Sequence, residues 1–413
     1  MSITLPLAGL RVLDASRILA GPFCCQILGD LGADVVKVER PGSGDDTRQW
    51  GPPFLNSEIG KRKAESGNLQ GPSAYYLSAN RNKRSIALDL SKPEGRAVLE
   101  YLIRKADVLI ENFLPESAAK LGLAPERLAE LNPNLVSCSI SGYGRTGPLA
   151  NVPGYDLVIQ ATAGIMSITG EPDGMPMKVG VAITDIITGL YAAVSVLAGL
   201  HARGKGRPGM AFDLALADCT LASLVNVAQA ALLTGERPQR LGNAHPHIVP
   251  YEAFATADGH LVLAVGNVTQ WQRFCAAVGR ADWAAEPRFA TNPLRVEHRG
   301  ELIPQIQQLL AMRSTAEWQT LLSAADVPHA PIQPLDEIFK SPQFAARGMV
   351  QSVTDSAGRE FAIVGSPIYW QDAPDAPPHS PPALGEHTRD VLADWLNYND
   401  AQVAALLQAG VCD

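Results

Sequence analysis

A chain of 413 residues, 46% hydrophobic and 18% charged, is longer than one ordinary domain and able to bury substantial cores, so two domains or one with a large insertion are expected. Its 42 acidic side chains outnumber 34 basic ones, and the net charge of -8 argues against broad electrostatic binding to nucleic acid or an anionic membrane. The six cysteines show no CxxC pair and no zinc-like spacing to histidine, and read as reduced, buried thiols; no metal site is expected.

In chain order, the opening MSITLPLAGLRVLD lacks a charged leader, an apolar stretch and a cleavage site, and reads as cytoplasmic, mitochondrial only if a transit segment has been removed. RVLDAS (Arg11 to Ser16) reads as a first strand, followed by a helix from about Pro22 and a second strand, DVVKVE. The polar NSEIGKRKAESGNLQGP has no periodicity and reads as an exposed loop. SIALDL, VLIENF and LVSCSISGY supply further strands, separated by segments such as PEGRAVLEYLIRKA with helical apolar spacing. Strands alternating with helices predict an α/β fold with a doubly wound, mostly parallel sheet. The apolar stretch from Ile186 to Leu200 falls short of the roughly 20 residues that cross a bilayer, and Gly189 and Gly199 interrupt it, so a buried core helix is expected.

GKGRPG, from Gly204 to Gly209, satisfies the dinucleotide pattern G-x-G-x-x-G, but here a helix precedes it and the strand candidate AFDLALA follows. That order is the reverse of a nucleotide-binding turn, so it reads as a basic helix-to-strand connection and a dehydrogenase is rejected. Beyond it the sequence predicts a long helix near Leu216 to Leu233, the GNAHPHIVPY segment, a strand HLVLAVG, helices around Trp271 and Leu302 to Leu321, a proline-rich connector from Asp372 to Thr388, and a last helix at about Asp390 to Trp395. The organisation expected is a large domain over 1–215, a helical linker and small α/β domain over 216–340, and a connector over 341–413 that returns to the large domain.

Read together, LAGLRVLDASRILAGPFCCQILGDLGADVVKVERPGSGDDTR, NRNKRSIALDL, ADVLIENF, SISGYGRTGP, VAITDIITGLYA and LGEHT resemble the successive signatures of the class III (CaiB/BaiF) CoA-transferases. RPGSGDDTRQWGPPF, YYLSANRNK, AHPHIVPY and PALGEHT are most similar to the succinyl-CoA:glutarate type. The resemblance implies a Rossmann-like large domain and an interlocked homodimer. It implies coenzyme A thioesters and a carboxylic acid as substrates, with no tightly bound cofactor.

The family's nucleophile corresponds to Asp185 in GVAITDIITGLYA. An aspartate in a first helical turn is favoured as the ion, and with an ordinary pKa of about 3.9 it is expected to be carboxylate at neutral pH; a plain capping role is the alternative. The resemblance implies attack of Asp185 on the donor thioester, an aspartyl anhydride, then an aspartyl-CoA thioester. It carries CoA contacts onto Ile18, Ala20, Arg40, Leu88, Asn112 and Phe113, and Lys120 is a second candidate for the phosphates. Glycines near Gly180, Gly242 and Gly266 are candidate oxyanion donors. Arg81, in a basic cluster with Lys83 and Arg84, is expected to pair with the distal carboxylate of a dicarboxylic acid, and Tyr155 and His245 are further substrate contacts. α-Methylacyl-CoA racemases carry a GHD motif where this chain has Gly154-Tyr155-Asp156, and tyrosine is a poor base at neutral pH. Racemase is therefore the runner-up, and a non-catalytic CoA-binding protein the alternative from another class.

Overall fold

Six short strands, β1 (Arg11–Ala15), β2 (Asp34–Glu39), β3 (Lys83–Ala87), β4 (Val108–Glu111), β5 (Val136–Ser141) and β6 (Ala211–Ala215), form one parallel sheet in the order β3-β2-β1-β4-β5-β6. The computed structural model describes residues 4–55, 71–369 and 377–413. The connections carry α1 (Ala20–Asp30), α2 (Ala74–Ser78), α3 (Pro93–Lys105), α4 (Pro115–Lys120), α5 (Pro125–Leu131), α6 (Asp156–Thr162), α7 (Ile165–Ile168) and α8 (Ile183–Gly204). Strand side chains alternate between two cores. Leu13, Val36 and Ile86 pack with Leu99, Leu102 and Trp395 on one face, while Val12, Val35 and Ile110 pack with Cys24, Leu28 and Val196 on the other. Strand order reverses at β1, whose neighbours β2 and β4 lie on opposite sides, so a crevice opens beyond the carboxyl ends of β1 and β4.

The chain divides into two compact units, one of Met1–Ile165, Val179–Leu233 and Gln343–Asp413, the other of Met166–Lys178 and Thr234–Pro342. In the larger, the C-terminal segment closes the free edge of β3. Gly385 N donates to Ser85 Oγ, His387 N to the Ser85 carbonyl and Ala87 N to Thr388 Oγ1, which gives LGEHT a structural task. In the smaller, β7 (Tyr251–Ala255), β8 (His260–Ala264) and β9 (His329–Pro331) pair antiparallel around a core of Trp271, Phe274, Trp283, Leu302 and Trp318.

Several elements differ from the sequence expectations. The helix read from Leu216 to Leu233 is two, α9 (Leu216–Ser223) and α10 (Val225–Thr234), bent by 79° where Val225 takes φ 36°. The chain passes from one unit to the other after Ile165, Lys178, Leu233 and Pro342. Leu302 to Leu321 likewise divides into Arg299–Leu310 and Thr315–Ala324, because Ser314 and Glu317 form a capping box that starts a new helix. A helix at Asp400–Gln408, opened by the Asn399 and Gln402 capping box, was not anticipated. α8 is 22 residues, long and apolar enough to cross a membrane, and longer than the stretch read from sequence. Its glycines do not break it; they let it pack closely, a Cβ on Gly199 lying 2.8 Å from Val136 Cγ1. The polar stretch 56–70 and residues 372–376 of the proline-rich connector lie outside the described residues.

Candidate active site

α8 begins at Ile183 with Ala182 as its N-cap, and that cap has no side chain to serve the first turn. Asp156, at the start of α6, does so instead. Its Oδ1 accepts from Thr184 N at 2.9 Å and Thr184 Oγ1 at 2.7 Å, while its Oδ2 accepts from Gln160 Nε2 at 2.6 Å. The fully buried Gln160 uses its Oε1 to receive Val179 N at 2.9 Å, tying the extended segment before α8 to α6. Asp185, third in the helix, is thus released from capping its own helix.

Asp185 instead meets the start of α1. Gly189, one turn further along α8, permits this approach, since a Cβ there would lie 2.7 Å from the Ala20 carbonyl oxygen. The Ala20 N–H, at the first position of α1, faces the Asp185 carboxyl and favours its charged form. No acidic residue of α1's own occupies its first turn, so Asp185 is the acid at that partly positive end. The turn that aims Ala20 is strained. Ile18 is a β-branched residue at φ 71°, and its N–H is held by both oxygens of Asp45 at 3.3 and 3.2 Å.

Buried charge supports that turn from below. Lys37 pairs with Asp45 at 2.9 Å and donates to the Ser16 carbonyl; Lys83 pairs with Asp14 at 2.9 Å and donates to the Pro22 carbonyl and Asn80 Oδ1. Against its own burial, Lys37 holds Asp45 down at about 2. The network anchors both sides of the Ser16 to Pro22 turn to the sheet.

Asp185 is not the ordinary carboxylate expected from its sequence position. Burial, then the Asp156 charge, push it up to about 7, partly offset by the Ala20 N–H. Only about half of it is ionised at neutral pH, because the helix terminus does not offset the loss of solvent. Burial followed by the charges of Asp185, Asp156 and Asp45 pushes the Tyr75 phenol up to about 12, so Tyr75 faces this cluster with its proton retained.

The other expected residues separate into groups. Ile18, Ala20 and Asn112 gather at the switch-point crevice, where Asn112 exchanges two hydrogen bonds with the Arg17 backbone, at 2.9 and 2.8 Å. Phe113 N donates to Glu111 at 2.8 Å and its ring is partly buried. Leu88 is fully buried and its side chain packs in the core, leaving its backbone at the β3 end. Arg40 and Lys120 are exposed cations, Arg40 beside Asp89. Tyr155 is 63% exposed as the N-cap residue of α6. Gly242 and Gly266 spend their N–H groups inside the chain, on the Gly170 carbonyl and Gln270 Oε1.

Arg81 stands elsewhere in the chemistry. It is buried, bidentate to Asp30 at 2.8 and 2.5 Å, with a third bond to the Val364 carbonyl, so it has no fork free for a substrate carboxylate. Lys83 and Arg84 are likewise paired, with Asp14 and with Asp34 and Asp394, so the cluster that reads as basic in sequence is neutralised in the fold. His245 lies in the smaller unit, in a loop pinned by Asn292, Arg295 and Arg299 through the carbonyls of His247, Val249 and His245. Burial, His247 and Arg299 lower its pKa, so it is neutral imidazole at pH 7. Asp156, Gln160 and Tyr75 were missed as site residues. The signal for Asp156 is the Gly154-Tyr155-Asp156 triplet itself, which puts a carboxylate at the first turn of α6.

Among family models, CoA-transferase family III matches residues 7–388. The chain belongs to that family. It is an enzyme by that membership, and relatives extend along its whole length. A succinate--glutarate CoA-transferase of Agrobacterium fabrum is 46% identical over 395 residues, covering 94% of this chain and 95% of the relative. The human succinyl-CoA:glutarate CoA-transferase is 39% identical over 408 residues, covering 99% of this chain and 90% of the relative. The crystal structure of a CaiB/BaiF family protein from Brucella suis superposes with a TM-score of 0.81 at 40% identity, over 95% of this chain and 100% of that one.

Proposed function

We propose that this family III enzyme moves CoA from succinyl-CoA, or a similar dicarboxylyl-CoA, to a carboxylic acid, with Asp185 as nucleophile. The observation that carries the reading is the buried Asp185 carboxyl at the facing first turns of α1 and α8, beside the Ala20 N–H. A carboxylate oxygen attacks the thioester carbonyl carbon, the C–S bond breaks, and CoA leaves as thiolate with the electron pair, giving a mixed anhydride. The thiolate then attacks the aspartyl carbonyl, releasing the donor acid and leaving an aspartyl-CoA thioester. The acceptor carboxylate reverses the sequence. The acyl group transferred stays activated, as anhydride or thioester, through every step, so no other energy source enters. Burial limits hydrolysis of both intermediates.

CoA is assigned to the crevice beyond β1 and β4, touching Ile18, Ala20, Asn112 and Phe113 and the backbone at Leu88, with Arg40 and Lys120 for its phosphates. Tyr155 and His245 remain proposed acyl contacts. The dicarboxylate preference is drawn from the names of the relatives, and Arg81 is not part of it. We also read the larger unit as Rossmann-like and the functional state as an interlocked homodimer in the cytoplasm. Support for association comes from α10, which has no buried residue in this single chain and exposes Val225, Leu232 and Leu233. The six cysteines are all free and buried, which accords with a reducing compartment.

The test is incubation with succinyl-CoA and a panel of succinate, glutarate, oxalate, formate, malate and carnitine, with product thioesters identified by mass. A donor-dependent mass adduct, trappable by hydroxylamine, is expected on the peptide containing Asp185 and not in Asp185→Asn protein. Turnover without any such adduct, and retained in the variant, overturns the mechanism.

A further inference from the structure

Two carboxylates meet at the first turn of α8, and only one has a role in the chemistry above. Asp156 accepts three hydrogen bonds, from Thr184 N, Thr184 Oγ1 and Gln160 Nε2. Those three donors fix its rotamer, beside an Asp185 to which the described residues bring the Ala20 N–H. A cap needs an acceptor oxygen and no charge, since serine, threonine and asparagine cap as well as aspartate does. The Thr184 cap uses one oxygen of Asp156 and Gln160 Nε2 uses the other, so a carboxylate is the group that accepts from both.

We propose that Asp156 is a positioning residue for Asp185: it fixes the first turn of α8 while holding a second carboxylate beside the nucleophile, so that acylation of Asp185 relieves repulsion between the pair. The inference rests on the reading of Asp185 as nucleophile. When the Asp185 carboxylate forms the anhydride, one C–O bond is made, one C–S bond is broken, and the negative charge passes to the departing sulfur. Asp156 loses a like-charged neighbour in that step. The same repulsion makes Asp185 more basic and so a stronger nucleophile than an ordinary carboxylate.

The surroundings leave this task to Asp156. α2 contributes the Tyr75 phenol, which keeps its proton. α1 contributes Ala20 N–H and the buried Cys24. α9 brings Cys219, bonded to Thr188, and Asp218; β5 brings Cys138; β6 brings Asp213, which accepts from Arg145 N. Of these charged groups, Asp156 is the one that shifts Asp185.

The experiment compares native, Asp156→Asn and Asp156→Glu proteins in the pH profile of kcat/KM for CoA transfer from succinyl-CoA. The native acid limb is expected near pH 7; Asp156→Asn moves it down by about one pH unit or more, and Asp156→Glu holds it near the native position. The fraction of Asp185 found as adduct at saturating donor falls in Asp156→Asn, and kcat falls more than KM changes. An unmoved limb in a folded Asp156→Asn protein overturns the proposal. A purely structural role would lower activity at every pH alike. If Asp156→Asn does not fold, or if the native protein transfers no CoA, infrared titration of the native protein decides instead. The protonated-carboxyl band absent from Asp185→Asn protein is expected to titrate near 7, and titration near 4 refutes the coupling whatever becomes of the transferase reading.

Discussion

Replacing Asp185 by asparagine separates stability from activity in a pH-dependent way. In the folded protein Asp185 keeps its proton up to about 7, whereas a solvated aspartate loses it near 3.8. Between those values the native state binds more proton than the unfolded state, so stability falls as pH rises through the window, and the full penalty is present above pH 7. A shift of about 3 pH units corresponds to a ceiling of about 4 kcal/mol at about 1.4 kcal/mol per unit. Asparagine keeps an acceptor for the Ala20 N–H and carries no charge, but it forfeits about 0.3–1 kcal/mol of favourable interaction with the helix termini. Asp185→Asn is therefore expected to be more stable than the native protein by about 2–3 kcal/mol at pH 8, with the difference vanishing near pH 4. Transferase activity should fall by several orders of magnitude throughout. Urea unfolding of both proteins from pH 4 to 8.5, paired with CoA-exchange rates, measures the two effects. A variant less stable than native at pH 8, or a stability difference that does not change with pH, refutes the account of Asp185 as a carboxylate held against desolvation.

Gly189→Ala places a methyl 2.7 Å from the Ala20 carbonyl oxygen, a backbone atom that moves only with α1. It should cost about 1–3 kcal/mol in urea unfolding and lower kcat by disturbing the Ala20 contact to Asp185; unchanged values for both would show that α8 and α1 have room to separate. Arg81→Ala leaves the buried Asp30 without its partner, so a loss of about 3–5 kcal/mol is expected, with the KM for dicarboxylates unchanged in the folded fraction. A KM rise specific to dicarboxylates would restore Arg81 to the substrate site.

Much of the larger unit is written locally. Alternating apolar runs bounded by turn residues place β1, β2, β4 and β5 within a residue or two, because strands covered on both faces need near-continuous Val, Ile and Leu whatever their neighbours. The reversed order around GKGRPG was also legible, since α8 ends at Gly204 and β6 begins at Ala211. Asp185 could be singled out because its motif is contiguous. Lys37, a charge inside DVVKVE, was a visible sign of buried pairing, though its partners Asp45 and Asp14 are not sequence neighbours. What only the tertiary structure decided was which charges meet. Arg81 finds Asp30 across 51 residues, Asp156 reaches Thr184 across 28, and α1 presents Ala20 to a helix that begins more than a hundred residues later. Desolvation follows from packing on every side of a group, so the state of Asp185 could not be read from a first-turn aspartate alone. A local pattern specifies where a carboxylate stands on its helix; its charge at neutral pH is set by what the fold places around it.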